Sequence, residues 1–439
     1  MSSNDHQYGA YERQYITDKH GGNGYVYVKH PSGLDIYLWQ MNGFTTTDAL
    51  FTAKYGSINN RFKTSDDEDF IQVPEGIAHF LEHKLFENED RDVFELYAKT
   101  GAMGNAYTSF DHTAYLFSCT ENYAESLRIL LSFVQDPYFT KETVDKEQGI
   151  IGQEIKMCED NPDRQSFYDL LKCLYVVHPV KTDIAGTVES IAKITPELLY
   201  QCYNTFYNLN NMVLTIAGNI DIDEVLKICD EELVRAEDID LLSDLGSEPD
   251  EVAQKEIVRK FPVGQSIFNI GYKCKPYSGR ECVRMSYESS ILMELAAGPT
   301  SKLYNKLTED GLINSSFSYE CFYGNGFFCN IFSGESSDPI AVQKRINEEI
   351  DRIISQGIDR ERFEIAKKAK YGSMIRGFDK VDMCAEMLLS SALMGVSVFD
   401  SIDIFTQMTF EDIVRDMPKL FDKERSAIAV VEPADKQNK

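Results

Sequence analysis

Apolar and polar positions alternate with a period of two over residues 25 to 57: "YVYVKH", then "GLDIYLWQ" behind the turn "PSG", then "DALFTAKYGS". This spacing predicts strands. From Pro74 to about Thr100 the period becomes helical, with Ile77, Phe80, Leu81 and Leu85 followed by Val93, Phe94 and Tyr97. Two further strands are predicted at "AMGNAYTS" and "TAYLFSCT". Helical patterns then dominate from about Tyr123 to Tyr207, and the strand "NMVLTIAG" closes the region at 211 to 218. In "RAEDIDLLSDLGSEPDEVAQ", residues 235 to 254, acids, Ser, Gly and Pro concentrate and apolar periodicity fades. That composition predicts a linker.

The second half repeats the plan. "EIVRKFP" and "QSIFNIGYKC" read as strands, a helical stretch runs from about Glu281 to Thr308, "SSFSYECFYG" and "GFFCNIFSG" read as strands, and helices fill about 338 to 395. Each half ends alike. A helix is predicted to start at an N-capping Thr195 or Thr409, the latter in a Thr-x-x-Asp box with Asp412, and a final strand follows. The expected fold class is α+β: two similar α/β domains, each an antiparallel-rich sheet packed against helices. Residues 1–235 and 256–439 form the domains, and an acidic linker at 236–255 joins them.

Within the first helical stretch, "GIAHFLEHKLFE" places two of the chain's seven histidines, His79 and His83, four apart with Glu82 between them. Positions i and i+4 share a helix face, so both imidazoles can address one metal ion. Glu82 lies beside that face, within reach of an attacking water. His-x-x-Glu-His is the inverted form of the zinc-protease motif. The bland alternative is two satisfied helix histidines beside a surface acid. Ile77, Phe80, Leu81 and Leu85, which would anchor the helix in a core, favour the metal. Two imidazoles and a carboxylate suit Zn²⁺ with one open position. The third ligand is sought in "TKETVDKEQGIIGQEIKMCED", where Glu147 and Glu154 stand seven apart on one helical face. A solvated face would explain such acids. Glu154, though, stands among Ile150, Ile151 and Ile155, where a carboxylate needs a partner. Glu142, Glu159 and Asp160 sit at the polar ends and are weaker candidates.

Bulk properties narrow the partners. The formal charge of −27 argues against nucleic acid or an anionic membrane as partner and suits neutral or basic ligands. No window approaches 18 uninterrupted apolar residues, so no membrane span is expected. The polar start, "MSSNDHQYGAYERQYITDKHGG", lacks the apolar core of a secretory signal. The ten cysteines form no Cys-x-x-Cys pair and sit mostly in apolar segments, as buried thiols do in a reducing compartment. The expected location is the cytoplasm. His112 is expected on a strand and His178 in a loop, neither as a ligand.

"GIAHFLEH", followed by Glu154 within "EQGIIGQEI", resembles the insulinase/pitrilysin family of zinc peptidases, in particular its small bacterial members with one pair of domains. "NAYTSFDHTAY", "DIAGTVESIAKIT" and "NMVLTIAGNID" match in kind and order. The resemblance implies that His79, His83 and Glu154 bind zinc, that Glu82 is the general base and that Glu147 supports the site. It implies that peptides add as a strand at Asn105, Ala106 and Tyr107, inside a chamber closed by a pair of such units. One departure stands out. Many members carry an Arg and a Tyr that bind the substrate carbonyl; by alignment of "LTEDGL" those positions hold Thr308 and Asn314. Lys302 and Lys306 are the closest cations and Tyr319 the closest tyrosine. The chain is therefore expected to act as a dimer, with either a second copy or a related, non-identical subunit that carries the Arg/Tyr pair. The expected activity is zinc-dependent endopeptidase action on short or unfolded peptides. The alternatives are a maturation peptidase with one substrate, and a non-catalytic core-type assembly subunit.

Overall fold

The structure, a computed structural model, describes residues 11–19, 22–89, 92–235 and 237–434. Residues 1–10 and 20–21 of the polar N-terminal stretch lie outside them. Its first unit is built on β1 (Arg13–Thr17), β2 (Gly24–Lys29), β3 (Asp35–Gln40), β4 (Thr47–Ala53), β5 (Arg61–Thr64), β6 (Ile71–Gln72), β7 (Met103–Thr108), β8 (Thr113–Cys119), β9 (Met212–Gly218) and β10 (Leu241–Ser243). Seven of these form one sheet in the order β1-β2-β3-β9-β4-β8-β7, and β10-β5-β6 form a small second one. The central strands β9 and β4 are buried almost end to end, as strands covered on both faces are. Their antiparallel register runs from Thr47 opposite Gly218 to Ala53 opposite Met212. β7 pairs only with β8, from Met103 opposite Ser118 to Thr108 opposite Thr113, so it is the outer strand.

The second unit carries β11 (Glu256–Phe261), β12 (Ser266–Lys273), β13 (Ser318–Gly324), β14 (Phe327–Ser336) and β15 (Ser426–Pro433), in the order β11-β15-β12-β14-β13. The first sheet contains the same arrangement as β3-β9-β4-β8-β7. Directions agree as well: β3 and β9 are parallel, β11 and β15 are parallel, and every other step is antiparallel. The repeat expected from the two closing segments thus extends over five strands. Thr195 caps its helix by accepting from the Leu198 N–H, and Thr409 forms a capping box with Asp412.

The helical stretch from Pro74 divides into α1 (Ile77–Leu85) and α2 (Val93–Thr100), and Asp92 caps the second. Downstream lie α3 (Tyr123–Val134), α4 (Lys141–Glu159) and α5 (Pro162–Leu174). By packing, the first unit takes in the described residues of 1–153, 183–244 and 375–399, and the second those of 154–182, 245–374 and 400–439. These units cross the chain-order boundaries. α5, from the first half, packs on β15, β12 and β11. There its Asp169 takes a two-pronged ion pair from Arg259 at 2.7 and 2.8 Å, and its Ser166 accepts from Asn269. Reciprocally, the helix Val381–Met394 packs on β9, β4 and β3 of the first unit. The stretch read as a linker is bound along its length. Leu241–Ser243 pairs with β5, and Glu248 holds Lys273 together with the N–H groups of Val176, Val177 and His178.

No single helix among the described residues is long and apolar enough to cross a membrane. All ten cysteines are free thiols.

Candidate metal centre

α1 starts at Gly76, whose backbone is left-handed at φ 88°. A Cβ there would come within 2.4 Å of the Ala185 carbonyl oxygen, so the helix begins against backbone that only glycine can approach. Ile77, Phe80, Leu81 and Leu85 are buried and root the helix in the core of the first unit. Lys84 is fully buried too and ion-pairs with Glu87 at 2.5 Å. The opposite face of α1 carries the chemistry. His79 is buried, and Glu82 and His83 are half-buried. The two imidazole centroids are 4.6 Å apart at an interplanar angle of 67°.

α4 supplies the facing carboxylates. Ile151 and Ile155 bury its inner side, while Ile150 is about half exposed at 49%. Glu154 therefore stands at the border of the buried face, half-buried itself. One ligand atom each from His79, His83 and Glu154 lie within 4.8 Å of one another. They form the metal-type cluster found among the described residues. Glu147, buried, accepts from His83 Nδ1 at 3.1 Å. That bond places the proton on Nδ1 and leaves Nε2 to face a metal, the usual way a carboxylate orients a ligating histidine. Two imidazoles and one carboxylate fit a zinc ion with a position left open. His79, His83 and Glu154 thus meet in one place, and Glu147 is bonded to His83 beside them.

Glu82 is bonded to the neighbouring strand β7. Its Oε2 accepts from Thr108 Oγ1 at 2.6 Å, and Thr108 is the last residue of β7. Asn105, Ala106 and Tyr107 precede it on that outer strand. The Tyr107 hydroxyl reaches Glu386, on the helix Val381–Met394, at 3.2 Å, and its ring meets His112 edge-on. Burial, with Glu386 adding to it, raises the Tyr107 hydroxyl well above its ordinary range. The Tyr115 and Tyr207 hydroxyls share a buried 2.8 Å bond, and both are pushed up chiefly by burial with a contribution from the Glu82 charge. His112 lies in the turn before β8 rather than on a strand, paired with Asp111 at 2.6 Å. His178 is a buried cap of a short turn that bonds the Asn325 carbonyl. Neither joins the cluster. Thr108 and Glu386 were invisible to sequence reasoning, because a hydroxyl and an acid acquire these roles only through the partner they meet.

In the second unit, Thr308 turns its hydroxyl onto the Tyr304 carbonyl, and Asn314 bonds Glu335 at 2.6 Å. The nearby cation Lys306 is held by Asp310 at 2.9 Å, and the Tyr319 hydroxyl by Glu294.

Duplicated five-strand sheets, with an inverted zinc-protease motif on a helix packed against the outer-strand end of the first, define a class of two-domain α/β proteins. Residues 72–188 match the insulinase family (peptidase family M16), and residues 193–370 match the peptidase M16 inactive domain. An uncharacterised zinc protease of Bacillus subtilis, YmfH, is 38% identical over 417 residues, 92% of this chain and 96% of its own length. The crystal structure of an M16-like peptidase from Alicyclobacillus acidocaldarius superposes with a TM-score of 0.89 at 34% identity, covering 97% of this chain and 99% of its own. A protease from Helicobacter pylori shares the fold, with a TM-score of 0.79 at 18% identity over 97% of this chain and 100% of its own. The chain belongs to the insulinase family of peptidases, and within it to the small bacterial type.

Proposed function

We propose that the protein is a zinc-dependent endopeptidase acting on short or unfolded peptides. The convergence of His79, His83 and Glu154 carries the reading. Zinc held by these three residues would supply Lewis-acid polarisation and a more acidic water. The chain's own residues do the rest. Glu147 keeps the His83 imidazole in its ligating tautomer. A peptide laid along β7 pairs its backbone with the open side of the strand near Asn105, Ala106 and Tyr107. Glu82 takes a proton from the attacking water as the C–O bond forms, then returns it to the leaving amine as the C–N bond breaks.

Stabilisation of the carbonyl oxygen in the transition state needs donors aimed at it. Thr308 and Asn314 are neutral and bonded locally, and Lys306 and Tyr319 are tied to acids. This favours a dimer in which a related subunit brings the missing Arg and Tyr and completes the chamber. The test is digestion of a peptide library by zinc-loaded protein beside Glu82→Gln. The wild type should cut many members, and the variant should keep zinc and cut none. Cleavage of a single member would point instead to a dedicated maturation peptidase. Undiminished cleavage by Glu82→Gln would remove the proposed base.

A further inference from the structure

We propose that Thr108 is a positioning residue for Glu82, so that the strand which takes the peptide also aims the base. The inference rests on the peptidase reading above. The Thr108 hydroxyl donates to Glu82 Oε2 at 2.6 Å. Glu82 Oε1 has no hydrogen bond to any described residue. One oxygen is therefore fixed from the strand, and the other is left for the proton of the attacking water. The two roles do not compete. Oε2 is an acceptor both before and after Oε1 takes the proton, so the hold lasts through attack and through return of the proton to the leaving nitrogen.

Position 108 is well suited to such a hold, because its backbone is fixed by β8 on one side and by the turn that follows it. It is the last paired residue of β7, opposite Thr113, and Thr113 bonds the Tyr55 carbonyl. The following turn closes through the Ser109 N–H on the His112 carbonyl at 2.8 Å, and it is tied down by Ser57 and Ile58. Successive strand residues point to opposite faces. Thr108 thus addresses α1 from one face, while Tyr107 is held from the other by Glu386. A peptide pairing with β7 loads the very strand whose end restrains the base. Other groups on that face cannot substitute: Ala106 has no hydroxyl, and Gly104 is pressed onto the Tyr97 ring, which a Cβ would meet at 2.4 Å.

The experiment compares Thr108→Val, isosteric but unable to donate, with Thr108→Ser, which restores the hydroxyl, in zinc-loaded protein. Three quantities are measured: kcat and KM on a peptide that the wild type cleaves, and zinc per chain. Small misplacements of a reacting group can cost up to on the order of a hundredfold in rate, so release of Glu82 from this hold predicts that Thr108→Val lowers kcat by on the order of ten- to a hundredfold. KM and zinc content should be unchanged, and Thr108→Ser should recover most of kcat. Wild-type kcat in Thr108→Val would overturn the inference and leave the peptidase reading standing. So would loss of zinc, or a rise in KM alone, since either would give Thr108 a different task. A wild type that cleaves nothing in the library would remove the peptidase reading, and this inference with it.

Discussion

His79 and His83 stand one helical turn apart on α1, with Glu154 facing them from α4. With only three protein donors, each is necessary: His79→Ala or His83→Ala should abolish retention of the roughly one zinc per chain that such a site binds. Glu154→Gln, which keeps a neutral oxygen donor, should hold zinc more weakly in competition with a chelator. Full zinc in both histidine variants by metal analysis would move the site elsewhere. A second residue-scale expectation concerns acid in a core. Glu288 is fully buried in the second unit, bonded to Arg284, which also bonds Asp416 at 2.6 Å. Burial outweighs the Arg284 charge, Asp416 adds to it, and the Glu288 carboxyl is pushed up to about 7 from 4.5. The folded chain therefore keeps a proton that the unfolded chain releases between about pH 4.5 and 7. The associated stability is present below that window and lost as pH rises through it. Glu288→Gln should flatten this dependence, so denaturant midpoints of variant and wild type should diverge from pH 5 to pH 8. A difference that does not change with pH would rule this out.

At the scale of elements, α1 depends on how it begins. Gly76→Ala would place a side chain in a left-handed backbone, which costs roughly 1–2 kcal/mol, and would drive its Cβ into the Ala185 carbonyl. The variant should unfold at lower denaturant and release zinc more readily than wild type; unchanged values for both would mean that the start of α1 does not set the site. Much of this level was legible in the sequence. The core strands and α1 could be read because Ile77, Phe80, Leu81 and Leu85 recur at helical spacing, and because β4 and β9 carry short dense apolar runs, residues 49–51 in one and 212–214 with 216–217 in the other. The meeting of His79, His83 and Glu154 could be anticipated because two histidines one helical turn apart and an acid at the edge of an apolar face stand at telling intervals. β1 could not: it lies at a sheet edge with four of its five residues exposed, so no alternation marks it. β5, β6 and β10 are too short to show a period. The break between α1 and α2 has its own mark, the polar run of residues 87–92 that ends in the N-cap Asp92, but the helical period that resumes at Val93 and Phe94 obscures it. The amphipathic face of α5 announces burial, with Leu170, Leu171 and Leu174 inside, but says nothing about which sheet receives it.

On the scale of the whole molecule, the proposed dimer makes its own prediction. The chain alone should show low turnover, because loss of one oxyanion donor commonly costs on the order of 10² to 10³. Adding a related chain with the Arg and Tyr should raise turnover without altering zinc content. High activity in a verified monomer would exclude the need for a partner, while the metal assignment would be untouched. The reciprocal placement of α5 and the helix Val381–Met394 bears on how such a molecule is made. On the ribosome, β3, β4 and β9 have all been synthesised once Gly218 is added, but the helix that covers them ends at Met394. At the usual ~5–20 residues per second, that interval is roughly 10–35 s. Throughout it, the half with the His-x-x-Glu-His motif waits without the helix that covers one face of its sheet. The nascent chain therefore presents a binding site for chaperones before it can present one for peptides.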